Sequence, residues 1–265
     1  MPLDLHELLA LATDLSDQAS ELLLDGLVRT DLEVDTKSSS TDMVTEIDHA
    51  AEALIVAGIH AARPDDGVLG EEGASEAGSS GVRWVIDPID GTTNYLYGLP
   101  GFGISIAAEV DGEVEVGVVA VPLHRETFTA VRGRGAFRNG NPIAASTETD
   151  LDRALVATGF AYDPGRRVRQ AEVVTGLIAE VRDVRRIGAA SVDLCSVGCG
   201  RVDAYFERGL QPWDHAAGAL VASEGGARVG DLTGGPAGED FVLAAPEALW
   251  EPLAERLRQL GADAV

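Results

Sequence analysis

The feature that most constrains this chain is an apolar segment that ends in two closely spaced carboxylates. From Trp84 to Asn94 the residues run Trp-Val-Ile-Asp-Pro-Ile-Asp-Gly-Thr-Thr-Asn. Pro88 restricts the backbone between Asp87 and Asp90, and a turn starting at Gly91 follows at once. Carboxylate oxygens suit Mg²⁺, and the N–H groups of a turn that opens a helix suit a phosphate. The segment therefore indicates metal-assisted chemistry on a phosphate ester.

Three further acidic residues occupy positions where predicted elements begin or end. Glu71 follows a short apolar strand, and Asp48 and Asp214 each open a predicted helix. Each has an ordinary explanation, since acidic residues complement the dipole at helix starts and a pair of glutamates after a strand is usually solvated. The segment from Asp87 to Gly91 has one as well, because Asp-Pro and Asp-Gly are common in surface turns. On that segment alone, a turn and a metal site are equally supported.

The charge balance limits the classes of partner. The 265 residues include 44 acidic and 20 basic ones, and the net charge is −24. This balance argues against a general nucleic-acid or anionic-membrane binder, which needs a basic face. A small anionic substrate stays compatible, because bound divalent cations reverse the local field. Lys37 is the only lysine; compositional bias of the source is the favoured explanation, and a site role stays open because an acidic motif follows it.

The cysteines and the N-terminal segment bear on the compartment. Cys195 and Cys199 lie four residues apart in a predicted helix, without histidine or cysteine partners at zinc spacing. We interpret them as buried structural thiols in a reducing compartment. The first seven residues have no basic leader, and no apolar run is long enough to span a bilayer. A cytoplasmic protein with no membrane partner is therefore expected.

The spacing of apolar residues predicts a change of architecture along the chain. The first part contains two amphipathic helices, a polar loop over 34–42 between them, and an antiparallel sheet, whereas the second part alternates short strands with helices. We predict one compact unit of two lobes, 1–146 and 147–265. A mobile loop is expected over 74–81. The predicted helices are 5–23, 47–59, 166–180, 190–199, 214–224 and 246–260, and the predicted strands are 68–70, 84–86, 102–110, 114–121, 126–131, 136–139, 154–158, 184–186, 202–206 and 241–244.

Four segments together resemble the inositol monophosphatase family of Mg²⁺-dependent, lithium-sensitive phosphatases. They are 42–48, 70–73, 84–94 and 213–226, and they follow the family's order. The Asp-Pro-Ile-Asp-Gly-Thr and Trp-Asp-x-Ala-Ala-Gly motifs are highly specific in combination, whereas either alone is weaker. The resemblance covers nearly the whole chain. It implies a mixed α+β and α/β fold, a layered αβαβα sandwich of the inositol monophosphatase and fructose-1,6-bisphosphatase type, and a homodimer.

The resemblance also implies a set of metal ligands. Two Mg²⁺ ions are expected, with Asp87 bridging them. Glu71 and the backbone carbonyl of Ile89 would complete one ion's protein ligands, and Asp90 and Asp214 would complete those of the other. The family often carries a third, weaker metal near Glu71, and Lys37 falls close to that region.

The implied catalytic and phosphate-binding groups surround the same turn. Thr92, hydrogen-bonded to Asp48, would orient or deprotonate a water activated by the metals, and Glu71 belongs to the same catalytic group. The N–H groups of Gly91, Thr92 and Thr93 would hold the phosphate.

The substrate side of the site is less specific. Glu207 falls where the family places an acidic residue against sugar hydroxyls, although an exposed carboxylate at a strand end is an equal interpretation. The run Gly188-Ala189-Ala190 falls where backbone N–H groups meet the polyol. Asp90 and Asp214 are also implied to contact the substrate. Ala189 departs from the hydroxyl residue that some relatives carry, which removes one expected substrate contact.

These features lead to the hypothesis of an Mg²⁺-dependent phosphomonoesterase that hydrolyses inositol monophosphates, such as myo-inositol 1-phosphate, to inositol and phosphate. Fructose 1,6-bisphosphate and histidinol phosphate are alternative substrates for the same site. A 3′-phosphoadenosine nucleotide is least favoured, because no basic or aromatic cluster lies near the substrate-side motifs. A regulatory, partner-binding protein that retains the fold is an alternative of a different class, and a decayed site would be expected to have lost Thr92 or one ligand.

Overall fold

The computed structural model describes residues 3–28, 34–36 and 43–264, with side chains over 3–28 and 46–264. Lys37 and the start of the 42–48 motif lie outside this range. Among the described residues, the α-helices are α1 Leu5–Leu27, α2 Glu46–Ala62, α3 Thr92–Leu96, α4 Pro164–Leu177, α5 Ala190–Gly198, α6 Pro212–Glu224 and α7 Glu247–Gln259. None of them is long and apolar enough to cross a membrane.

The strands form a two-stranded ribbon and two larger sheets. The ribbon pairs β1 Val34–Thr36 with β2 Met43–Thr45. The strands of the large sheet are β3 Gly67–Gly70, β4 Ser75–Glu76, β5 Val82–Asp90, β6 Gly103–Val110, β7 Glu113–Val121, β8 Glu126–Val131, β9 Ala136–Arg138 and β10 Asn141–Pro142. Those of the smaller sheet are β11 Leu155–Thr158, β12 Asp183–Arg185, β13 Ala204–Glu207, β14 Arg228–Gly230 and β15 Val242–Ala245.

The first two helices cover one face of the large sheet because each carries an apolar stripe at helical spacing. Asp4 caps α1 by accepting the His6 N–H at 2.9 Å. Along α1, Leu8, Ala12 and Leu15 are buried in the same cluster as residues of α2, β5, β6 and β7. Gly58 of α2 is a close-approach position, since a Cβ there would lie 2.2 Å from the Leu15 side chain.

The large sheet has the order β10-β9-β8-β7-β6-β5-β3-β4, and only the β3–β5 pair is parallel among its described strands. β5 is almost completely buried. Its register against β6 shifts between Asp87, which pairs with Ser105, and Asp90, which pairs with Gly103. Three positions along β5 therefore match two along β6. An extra residue of this kind changes the direction of the side chains around it. The shift falls on the predicted metal-binding segment.

The smaller sheet has the order β12-β11-β13-β15-β14, parallel over its first three strands and antiparallel over the last three. Helices α4 and α7 pack on one face of it. Helices α5 and α6 lie between the two sheets, because residues of α5 contribute to a core cluster on each side. The layers are therefore α, β, α, β and α, which confirms the predicted fold class.

Several short elements differ from the sequence-based expectation. The predicted loop over 34–42 is wrong at its start, where Val34–Thr36 is a strand paired with Met43–Thr45. β4 lies within the loop predicted over 74–81, and β10, β14 and α3 were absent from the predicted elements. Strands of two or three residues are too short to show an apolar period, and they exist because a neighbouring strand offers hydrogen bonds. The division into lobes 1–146 and 147–265 stays a prediction.

Candidate active site

The residues predicted as metal ligands line one cleft of about 430 Å³. β3 leads into Glu71, whose N–H donates to the Ile86 carbonyl at 3.1 Å. The end of β5 supplies Asp87, Ile89 and Asp90, and the first turn of α6 supplies Asp214. The predicted ligands lining this cleft are Glu71, Asp87, Ile89, Asp90 and Asp214, and the predicted phosphate-binding residues Gly91 and Thr92 line it with them.

Backbone N–H groups hold three of these carboxylates in place. Asp87 Oδ1 accepts the N–H of Ile89 at 3.0 Å. Asp90 Oδ2 accepts the N–H of Ser191 at 2.6 Å, which ties the end of β5 to the start of α5. Asp214 Oδ2 accepts the N–H of Gln211 at 2.6 Å, as part of the capping box of α6. The site is therefore oriented by the ends of three separate elements.

In the part of the chain that the structure describes, the side chains that line the cleft include four carboxylates and no basic group. Burial, followed by repulsion from Glu71, Asp90 and Asp214, raises the pKa of Asp87 well above its usual range. Burial likewise raises the pKa of Asp90 to about 6, although hydrogen bonding from Ser191 opposes it. The pKa of Asp214 is raised by burial and by the neighbouring Asp90. Several carboxylates that repel one another are stabilised when some of them are protonated or when a cation binds between them.

The donors fit a divalent cation by their chemistry. Carboxylate and carbonyl oxygens are the ligands that Mg²⁺ accepts, and the raised pKa values show that positive charge would stabilise this group. In the described part of the chain, no three acidic, histidine or cysteine side chains are already gathered around one point. The fit therefore rests on the donor types and on their unbalanced charge.

The Thr92 hydroxyl is placed between two oxygen atoms. It lies 3.2 Å from Asp48 Oδ1 and 3.0 Å from the Ile89 carbonyl oxygen, and its single hydrogen can donate to either. Asp48 is fully buried and Thr92 nearly so. The structure thus brings together the predicted Thr92 and Asp48 pair, and it also links Thr92 to the predicted carbonyl ligand.

The predicted phosphate-binding turn begins α3. Gly91 is the N-cap of α3 with a positive φ of 89°, a conformation that favours glycine. A Cβ there would lie 3.1 Å from the carbonyl oxygens of Gly101 and Gly188. The first N–H groups of a helix have no partner within the helix, so Gly91, Thr92 and Thr93 present donors at this end. Thr93 lines the adjoining cavity of about 360 Å³ together with Gly91 and Gly188.

The predicted substrate-side residues lie next to this turn. Gly188, Ala189, Ala190 and Glu207 line a cavity of about 90 Å³ together with Asp90, Gly91 and Asp214. Glu207 ends β13 and is half-buried, so the alternative of an exposed strand-end carboxylate is wrong. The Tyr205 hydroxyl donates to Glu207 Oε2 at 2.5 Å. Burial raises the pKa of Glu207 to about 7, although Tyr205 and Arg186 oppose this shift.

Comparison with known proteins identifies the family. The model of the inositol monophosphatase family matches residues 4–262. This chain belongs to the inositol monophosphatase family. It is 44% identical over 252 residues to the inositol-1-monophosphatase of Mycobacterium bovis, covering 91% of this chain and 85% of that protein. It is 42% identical over 233 residues to the Nus factor SuhB of Escherichia coli K12, covering 87% of each.

Solved structures agree with this family assignment. An IMPase from Thermotoga maritima has a TM-score of 0.87 and 32% identity, with 97% of this chain and 99% of that chain covered. The extragenic suppressor protein suhB from Bartonella henselae has a TM-score of 0.90 and 35% identity, with 96% and 99% covered. The family assignment and the relative named inositol-1-monophosphatase establish the chain as a phosphatase.

Sequence reasoning missed two buried acids of this inositol monophosphatase family member. Asp193 lies in α5 and is buried, and its Oδ1 has no hydrogen-bond partner. Burial, with Glu207 and Asp90 adding repulsion, raises the pKa of Asp193 well above its usual range. Glu52 lies buried in α2 beneath the turn that carries Glu71. The available signal was an acidic residue within an otherwise apolar helical stripe, because buried carboxylates are rare without a specific partner.

Proposed function

We propose that this phosphatase is an Mg²⁺-dependent phosphomonoesterase whose substrates are inositol monophosphates, with myo-inositol 1-phosphate as the first to test. One observation carries the proposal: the cleft joins the N-terminal turn of α3 to the mutually repelling carboxylates of Asp87 and Asp90, which are buried, and Asp214, which is half-buried. A cation-binding group beside an anion-binding group suits the metal-assisted hydrolysis of a phosphate monoester. The similarity to a relative named inositol-1-monophosphatase supports the choice of substrate.

In this proposal each predicted ligand keeps its assigned role. Asp87 would contact both ions, Glu71 and the Ile89 carbonyl one of them, and Asp90 and Asp214 the other. When bound, Mg²⁺ supplies Lewis-acid chemistry, because it lowers the pKa of water and neutralises charge that develops on the ester oxygens. A third ion near Glu71 and inhibition by lithium are further expectations from the family resemblance.

The remaining residues would position the water and the substrate. Asp48 holds the Thr92 hydroxyl, which would orient or deprotonate the attacking water, with Glu71 in the same catalytic group. The N–H groups of Gly91, Thr92 and Thr93 would hold the phosphate. On the polyol side, contacts would come from Asp90, Asp214, Glu207 and the backbone of Gly188, Ala189 and Ala190.

The test is phosphate release from a panel of esters with Mg²⁺ and with a chelator. The panel contains inositol 1-phosphate, fructose 1,6-bisphosphate, histidinol phosphate and 3′-phosphoadenosine 5′-phosphate. Mg²⁺-dependent release that is fastest on inositol 1-phosphate is the expected result. Faster release from another ester would retain the metal site and overturn the substrate. Equal release in chelator would overturn the metal dependence.

A regulatory role is a second candidate, because relatives at 40–42% identity are named Nus factor SuhB. Retention of Thr92 and of every predicted acidic ligand favours the enzyme. A purified chain that binds Mg²⁺ and hydrolyses no ester of the panel would favour the regulatory role instead.

We also propose that the protein is a cytoplasmic homodimer of two-lobed subunits without nucleic-acid or membrane partners. Light scattering of the purified protein checks the dimer.

A further inference from the structure

A buried glutamate outside the predicted site holds the turn that carries Glu71. Glu52 lies in α2 with 6% of its surface exposed. Its Oε2 accepts the N–H of Glu72 at 2.8 Å, and its Oε1 accepts the N–H of Ala74 at 3.0 Å. Both carboxylate oxygens are therefore used on the backbone just after Glu71.

The turn itself is short and is held at each end. The Gly70 N–H donates to the Ala74 carbonyl at 2.7 Å, and the Glu71 N–H donates to the Ile86 carbonyl of β5 at 3.1 Å. Gly70 leaves room for the glutamate, because a Cβ at this position would lie 2.2 Å from Glu52 Oε2. The Glu52 carboxylate thus fills the space under the turn, and Glu71 lines the cleft above it.

One face of helix α2 carries two acidic residues that contact the cleft, one at Thr92 and one at the turn after Glu71. Asp48 and Glu52 are four residues apart in α2, so their side chains lie on the same side of the helix. Asp48 Oδ1 lies 3.2 Å from the Thr92 hydroxyl. The same face of α2 therefore contacts both Thr92 and the turn that follows Glu71.

We propose that Glu52 is a positioning residue that orients Glu71 for metal binding through its hydrogen bonds to the Glu72 and Ala74 N–H groups. This inference rests on the proposed function, because it assigns Glu71 to the metal. Groups that orient metal ligands without touching the ion change metal affinity by about 10–100-fold when they are mutated. Glu52 differs from them in acting through the backbone of the turn.

The first test variant is Glu52→Gln. A carboxylate accepts both N–H groups, whereas an amide has one accepting oxygen and would direct its NH₂ group at the second N–H. We expect Kd for Mg²⁺, measured by isothermal titration calorimetry on the full chain, to rise about tenfold. The Mg²⁺ concentration that gives half-maximal phosphate release should rise by the same factor. The value of kcat at saturating Mg²⁺ should change by less than about twofold.

A second variant tests the same contact from the other side. Gly70→Ala places a methyl group where the Glu52 carboxylate lies, and the carboxylate is the movable partner. It should therefore weaken Mg²⁺ binding about as much as Glu52→Gln does. In a Glu52→Ala background the same Gly70→Ala change should have almost no effect, since the group it displaces is gone. This double-mutant cycle distinguishes the contact from a general loss of stability.

Asp66→Asn is the matched control. Asp66 is another buried acid, 4% exposed, but its partners Arg63, Ser80 and Trp84 lie outside the cleft. It should lower the melting temperature and leave Kd for Mg²⁺ unchanged. An unchanged Kd in both Glu52→Gln and Gly70→Ala, with wild-type protein binding Mg²⁺ normally, would overturn the inference. Wild-type protein that binds no Mg²⁺ would instead overturn the proposed function.

Discussion

Two groups of buried carboxylates in this protein have opposite surroundings. Asp66 accepts hydrogen bonds from Ser80 Oγ at 2.6 Å and Trp84 Nε1 at 2.9 Å, and it pairs with Arg63. Burial alone would raise the pKa of Asp66, but these partners together lower it. In the cleft, burial raises the pKa of Asp87, and the neighbouring acids raise it further.

The difference shows that the burial of an acidic side chain does not by itself distinguish a structural role from a ligand-binding role. A buried carboxylate with a cation and donors around it has its charge compensated within the fold, whereas one surrounded by other carboxylates costs stability until a cation or proton binds. The second arrangement persists in a folded chain only where the rest of the structure supports it. The cleft, and not the Asp66 network, is therefore the place to expect a ligand.

The largest effect is expected from Asp87→Asn. Loss of the carboxylate that is proposed to contact both ions should reduce phosphate release to the background rate, because the remaining acids cannot hold both ions in position. The fold should survive, and in chelator the melting temperature should equal or exceed that of wild type, since one repelling charge is gone. Phosphate release and thermal melting check the two parts. An Asp87→Asn variant that still releases phosphate in an Mg²⁺-dependent manner would contradict the assignment of the site.

Asp66→Asn should give the next largest effect, on stability alone. Removing the charge leaves Arg63 without its buried partner, and breaking a buried pair costs about 3 kcal/mol in free energy of unfolding. Urea titration measures this loss. The kcat of phosphate release should stay within about twofold of the wild-type value, because Asp66 and its partners lie outside the cleft. A stability equal to that of wild type would show that the network contributes little.

Mg²⁺ should stabilise the wild-type protein against heat. A ligand that binds only the folded state at a hundred times its Kd adds about 2.7 kcal/mol. Melting curves over a series of Mg²⁺ concentrations should rise steadily for wild type and stay flat for Asp87→Asn. A wild-type melting temperature that is independent of millimolar Mg²⁺ would contradict a preformed cation site.

The smallest expected effect is a difference in pH dependence between the two groups. The pKa of Asp90 is raised to about 6, so this group binds more protons in the folded protein than in the unfolded chain near that pH. Its contribution to stability in chelator should therefore increase as pH falls from about 7 to 5. The pKa of Asp66 is lowered, so its contribution is complete above about pH 4 and is lost as pH falls further. Urea titrations at several pH values, with and without Mg²⁺, measure both slopes. Burial lowers the pKa of His215 to about 4, which gives the opposite slope, so the comparison is made with Asp90→Asn. The same slope in this variant as in wild type would contradict the raised pKa of Asp90.

Much of the fold was predictable because its main elements carry long apolar patterns. The strands predicted over 102–110 and 114–121 correspond to β6 and β7, and the helix predicted over 5–23 corresponds to most of α1. The two-residue β10 and three-residue β1 were not predictable, since so few residues show no period and depend on a partner strand. Glu207 could be interpreted two ways, because only the packing of β13 beside α5 decides its burial.

The sequence by itself determined the chemistry available to this protein. The order Asp87, Pro88, Ile89, Asp90, Gly91 sets two acids, a carbonyl and a glycine turn within five positions, and local rules predict the turn and the helix start. Local preferences act over a few residues, so they reach no further than this. Only the tertiary structure decided that Asp214 would line the same cleft as that turn, that the carboxylates there would repel one another, and that Glu52 would hold the Glu71 turn. Coulomb repulsion and burial depend on distances between elements that lie far apart in the chain.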